Sequence, residues 1–410
     1  MNSIAERYVK LVLGLGVYDP DYVDAYYGPE EWKPSGGDAA KKEEFPFSKF
    51  DDEVEQLMAS LDGADPSPLT PIEKLRWSSM LKQLTAVKAK IVLLSGKSLS
   101  FDEESRLLYD AVAPVHSEDH YKVLLDELGR LLPGNGDVSP RLEKYKQSFI
   151  IRKEKLDGVF KAAIAEGRRR TMKHIELPSN ERFTVEYVNN KPWSGYNWYK
   201  GNSFSVIQVN TDLPIFIDRA IDLACHEGYP GHHVYNLLME KDLFRERGWK
   251  EFSVYPLFSP QSLIAEGSAN FGIEVALPGE ERVLYEREVL FPIAGFDPLR
   301  AHEYYGIQSV KAKLDHAGNE AARNYLDGKW KKDAAVDWLV TYALFSPERA
   351  AQRVQFIERY RSYVINYNLG QDMVRAYIEK RGGTVNNADL RWKLFEDLLS
   401  EPHTPSDLLK

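Results

Sequence analysis

The stretch Cys225–His233, CHEGYPGHH, puts a proline where a zinc-binding helix would need its second histidine. An HExxH pair works because residues four apart share one face of a helix, so both imidazoles reach one ion. Here the histidines after His226 are His232 and His233. Six residues at about 100° each leave His232 roughly 120° off the face of His226. Seven residues return His233 to that face, but ~10.5 Å along the axis. A regular helix therefore forbids the site. Pro230 has no N–H to donate, and its ring would clash with the carbonyl of residue 226. The residue before a proline is pushed out of the α region, and Gly231 tolerates backbone angles that others avoid. The helix must break at 229–231, and that break can bring His232 beside His226. The alternative is a helix end followed by a histidine-bearing loop.

Thr211-Asp212 before Leu213-Pro214 reads as the start of the helix that enters this stretch. A catalytic zinc takes three protein ligands and leaves one position open. Cys225 is the only cysteine, so any metal site must draw on histidines and carboxylates, and a reducing cytoplasm fits. The third candidate ligand is Glu266 in SLIAEGSANFGIE, with Asn270 and Glu274 following at four-residue steps. Asn270, Glu274 or Asp222 is the expected partner for a ligating imidazole's second nitrogen. Glu227 follows the first ligand directly and is the candidate general base, taking a proton from the attacking water and passing it to the leaving amine. The developing oxyanion needs a donor. Tyr360, Tyr363 and Tyr367 recur on one face, and Tyr367 or Tyr363 is the candidate, with Arg361 placed to meet a substrate carboxylate. His233 is a candidate donor, supporting group or alternative ligand. Cys225 is expected to face the core.

Most of the chain carries helical patterning. Helices are expected over 3–15, 48–62, 70–95, 101–113 and 117–132, with one long helix from about Ser139 to Lys173. Residues 18–38 read as turn-rich, punctuated by Pro20, Pro29, Pro34, Gly36 and Gly37. RFTVEYV and SFSVIQVN alternate as strands around the aromatic loop NNKPWSGYNWYKGN. A strand at SFSVIQVN is a candidate to pair with an extended peptide. The expected fold is mainly α with one small β-sheet, a helical metallopeptidase-like architecture with a central cleft. A helical N-terminal lobe over 1–177 and a catalytic lobe over 178–410 follow from the pattern change near Pro178, unless the two form one continuous domain.

HEGYPGHH followed by AEGSANFG resembles the bacterial family known as domain of unknown function 885, whose members are similar to gluzincin metallopeptidases. AYYGPEEW near the start and YLDGKWKKDAAVDWLVTYALFSPERA near the end extend the resemblance over most of the chain. It implies a mostly helical peptidase-like fold, zinc held by His226, His232 and Glu266, and Glu227 as base. Tyr235 and Ser268 depart from the family's pattern, which carries Gln and Trp there. The net charge of −9 argues against a nucleic-acid or anionic-membrane partner. No signal peptide or membrane span is read, so the expected setting is the cytoplasm. The expected activity is zinc-dependent hydrolysis of a short peptide. A non-peptide amide or ester substrate, or an inactive binding protein that keeps the fold, stand as alternatives.

Overall fold

The computed structural model describes residues 1–34, 45–63, 65–191 and 193–410. Gly36 and Gly37, read as turn punctuation, lie outside these residues. The fold is mostly helical, and local sequence accounts for several helix starts. Thr70 and Glu73 form a reciprocal capping box ahead of Pro71, opening the helix Pro71–Leu94. Ser100 caps Phe101–Tyr109 through the Glu103 N–H, and that helix stops where Asp110 turns left-handed at φ +52°. Asn2–Gly16, Phe47–Asp62 and Glu118–Leu131 match the expected helices to within a few residues. One buried apolar cluster runs from Ala5 to Leu408.

The expected helix from Ser139 to Lys173 is two helices, Val138–Gln147 and Lys153–Thr171. Between them the chain is extended and pairs with the lead-in to the motif helix. The Ile151 N–H donates to the Ile215 carbonyl at 2.9 Å, and the Ile217 N–H to the Phe149 carbonyl at 3.1 Å. Phe149 and Ile151 are buried there, so tertiary pairing overrides the local helical pattern.

Two small sheets stand where one was expected. Strand β1 (Val23–Tyr26), inside the stretch read as turns, pairs antiparallel with β5 (Val254–Pro256). The other sheet holds β2 (Arg182–Val188), β3 (Gly195–Tyr199) and β4 (Phe204–Asn210) in the order β2-β4-β3. β3 lies within the stretch read as an aromatic loop. β4 pairs parallel to β2 and antiparallel to β3 along its length. SFSVIQVN is therefore a central strand with both edges occupied, and it cannot add a peptide as an extra strand.

Candidate metal centre

The helix Ile217–Leu223 widens over Ala224–Gly228, where the Tyr229 N–H reaches back five residues to the Ala224 carbonyl at 3.2 Å. The Gly231 N–H reaches six back, to Cys225 at 2.9 Å. A new helix, His232–Leu238, then begins. The two extra residues of the motif are absorbed in this loosened turn, as Pro230 requires. Gly231 is demanded by crowding: a Cβ there would lie 1.9 Å from the His226 carbonyl oxygen and 2.4 Å from that of Cys225. The Pro230 ring packs on Gly272 of the next helix, Pro260–Ala276, where a Cβ would sit 3.1 Å from it.

His226 and His232 thereby face each other with their Nε2 atoms 3.1 Å apart. Glu266 Oε2, from the helix Pro260–Ala276, lies 3.2 Å from His226 Nε2 and 3.5 Å from His232 Nε2. The network assigns the protons. Asn270 Nδ2 donates to the Tyr367 carbonyl at 2.9 Å, so Asn270 Oδ1 accepts from His226 Nδ1–H at 2.9 Å. That leaves His226 Nε2 with a lone pair aimed at the other two groups. Tyr363 donates to Glu266 Oε1 at 2.7 Å, while Glu266 Oε2 is buried without a hydrogen-bond partner. A tetrahedral ion at ~2.0–2.1 Å from each ligand would set ligand-to-ligand separations of roughly 3.3 Å. The three observed separations bracket that value, and the donor set of two imidazoles and a carboxylate suits zinc. Among the described residues these three form the only such group of histidines and acids.

The electrostatics suit a cation. Burial opposes the charge on Glu266, yet the two imidazoles hold its carboxyl far below the usual range. Burial also disfavours a charged His232, but the carboxylates of Glu266, Glu227 and Asp24 outweigh it and lift the group to about 9. Glu227 is buried, and that burial raises its pKa. Its carboxylate lies against Gly195 of β3, where a Cβ would come within 2.8 Å of Oε1. Its backbone carbonyl accepts from Asn197 Nδ2 at 2.6 Å. The Tyr367 hydroxyl makes no hydrogen bond to a described residue. Burial and the nearby Glu266 carboxylate keep it protonated.

Other candidates are placed elsewhere. His233 points away from the triad: Nδ1 bonds Ser205 Oγ at 2.8 Å and Nε2 bonds Glu181 at 3.2 Å, with the ring fully buried. Both nitrogens being engaged, His233 is neither a ligand nor a free donor, and it anchors the new helix to the sheet. Arg361 pairs with Glu104 at 2.6 Å, so its charge already has a partner within the protein. Glu274 binds Gln371 at 2.8 Å and also Arg375. Asp222 pairs with Arg282 at 2.8 Å. Of the three proposed partners of a ligating imidazole, only Asn270 takes that place. Cys225 is buried in the core.

Sequence reading missed Asp24. Carried in by β1, it accepts from the Tyr196 hydroxyl, and burial lifts its carboxyl to about 6, with His232, Glu266 and Glu227 all close enough to affect it. The only trace in the sequence is its position beside AYYGPEEW.

Two solved structures, with TM-scores above 0.5, share this fold. A protein from Colwellia psychrerythraea described as a "putative lipoprotein" superposes with a TM-score of 0.55 at 14% identity, over 88% of this chain and 65% of its own. A "putative lipoprotein of unknown function" from Shewanella oneidensis gives 0.51 at 13% identity, over 98% and 82%. An M32 carboxypeptidase from Deinococcus radiodurans R1 gives 0.49 at 11% identity, over 100% and 92%. The present chain thus spans just under two thirds of the Colwellia protein. No family model matches the sequence, and no curated protein matches it. No described helix is long and apolar enough to cross a membrane.

Proposed function

We propose that the protein is a metal-dependent hydrolase of short peptides, with His226, His232 and Glu266 as the ligands of a zinc ion. The observation that carries this reading is the convergence of two imidazole nitrogens and one carboxylate oxygen at tetrahedral spacing, that oxygen being otherwise orphaned, beside a buried glutamate. The resemblance of HEGYPGHH and AEGSANFG to the domain of unknown function 885 family supports it. Bound there, zinc would polarise the scissile carbonyl and bring the pKa of water to ~7.

The protein's own groups do the rest. Asn270 and Tyr363 hold His226 and Glu266 in orientation. Glu227, its proton affinity raised by burial, takes a proton from the water as its oxygen attacks the carbonyl carbon. It then returns the proton to the amine nitrogen as the C–N bond breaks. The Tyr367 hydroxyl donates to the oxyanion. In this reading 1–177 and 178–410 act as lobes that both reach the site, the first through Asp24. A cytoplasmic setting, with no nucleic-acid or membrane partner, belongs to the same proposal.

The test is zinc content together with a peptide-library digest. Wild type should hold one zinc per chain and cut peptides, and Glu227→Gln should keep the metal and lose ~10²–10⁴-fold in rate. Metal-free wild type that still cuts would sink the mechanism. Undiminished hydrolysis by Glu227→Gln would remove Glu227 as base.

A further inference from the structure

With Arg361 committed to Glu104, a different group of cations stands beside the site. Arg349 and Arg353 lie four residues apart on the helix Pro347–Tyr360, so they share a face. Neither forms an ion pair with a described residue. Both are held on aromatic faces instead: Arg349 lies 5.3 Å from the Phe345 ring, and Arg353 lies 4.6 Å from Phe356 and 5.8 Å from Tyr367. Neither guanidinium donates a hydrogen bond to a described residue, which leaves N–H groups free, the edge that grips a carboxylate. Lys146 is likewise held 4.2 Å from the Phe216 ring, with no described acid in contact. Arg219 has only a loose 3.7 Å contact to Asp222, whose closer partner is Arg282.

These groups crowd one another. Burial lowers Arg349 to about 10, and its next strongest influences are Arg219 and Arg353. Burial lowers Lys146 to about 8, helped by Lys311, Arg349 and Arg219. Asp315 and Asp218 are near but do not neutralise them. Like charges gathered without partners are unfavourable, so the gathering calls for an anion. The Arg349 side chain is exposed to solvent, so a ligand can reach it.

The cluster abuts the triad. Arg353 lies over Tyr367, and the Tyr367 ring meets that of Tyr363 at 5.7 Å. Tyr363 holds Glu266, and the Tyr367 carbonyl holds Asn270, which orients His226. Arg219 belongs to the helix that runs into His226 and Glu227.

We infer that Arg219, Arg349 and Arg353, backed by Lys146, form a wall that grips a peptide carboxylate and so fixes the substrate's free end against the triad. The source of that carboxylate is the C-terminus of a short peptide, or else an Asp or Glu side chain. The inference rests on the peptidase reading for its substrate class, but binding tests it separately from hydrolysis.

The Glu227→Gln protein, loaded with zinc, is dialysed against three tripeptide mixtures: neutral residues with a free C-terminus, the same residues amidated, and amidated peptides carrying one Asp or Glu. Mass spectrometry reads what is retained. At least tenfold stronger retention of the free acids than of the neutral amides is expected. Arg353→Gln and Arg349→Gln should each abolish that preference without moving the melting temperature, and Arg353→Lys should restore part of it. Preference for the Asp- or Glu-bearing amides would support the wall and name the side chain as the source. Equal retention of free acids and neutral amides, or retention of no mixture, would overturn the inference. A wild type that cuts nothing refutes the hydrolase and leaves the retention result standing.

Discussion

Tyr363 and Tyr367 are four residues apart and chemically identical, yet the structure gives them different work. Tyr363 donates its hydroxyl to Glu266, so its proton is committed, whereas the Tyr367 hydroxyl is free. Tyr367→Phe should therefore keep zinc and lower kcat by ~10²–10³-fold, the usual loss when one oxyanion donor is removed. Tyr363→Phe should instead weaken metal retention, because it frees Glu266 to rotate. Zinc content and steady-state rates on one peptide check both, and equal behaviour of the two variants would remove the distinction. Single residues were readable where covalent geometry forces the outcome. Pro230 and Gly231 dictated a broken helix, and the structure brings the candidate ligand atoms of His226, His232 and Glu266 within 4.8 Å of one another. Residues whose placement depends on a distant partner were not readable. Nothing near Arg361 in sequence announces Glu104, and nothing near His233 announces Glu181.

At the scale of elements, the site is a loosened turn packed against the helix Pro260–Ala276. Gly231→Ala would push a methyl into the carbonyl of His226. It should cost about 1–3 kcal/mol, the range for overpacking, and reduce zinc affinity, since the turn that aims His232 must reopen. Urea unfolding and zinc titration measure the two effects, and a variant of wild-type stability would show that the turn has room. Helices with capping signals were legible, but three elements were not. The break at 148–152, β1 and β3 form through pairing with segments remote in sequence, and local patterning carries no record of that pairing.

Across the whole molecule, one buried carboxylate ties four parts of the fold. Glu181 accepts from Tyr229 at 2.6 Å and bonds His233 at 3.2 Å, while Arg168 from the helix Lys153–Thr171 donates to it at 2.9 Å. Burial alone would raise its pKa, but His233, Tyr229 and Arg168 outweigh burial and hold it at about 2. A carboxyl lowered from 4.5 to about 2 contributes stability that is present above pH 4.5 and is lost as pH falls towards 2. Glu181→Gln should lower stability at pH 7 and flatten the acid limb between those values. Urea midpoints of metal-free protein across that range report it, and parallel curves for variant and wild type would rule out the role.

Glu266, on the helix Pro260–Ala276, and Tyr367, on the helix Ile365–Lys380, sit where the two helices meet at Gly267 and Gly370, and a Cβ on Gly267 would come within 2.4 Å of the Gly370 backbone. The spacing between candidate ligand and candidate donor is therefore set by two side chains that do not exist. This shapes how the chain can drift over generations. Neither glycine touches the chemistry, yet neither can gain a methyl without prising the two helices apart. A lineage that accepted one would have to move Glu266 relative to Tyr367.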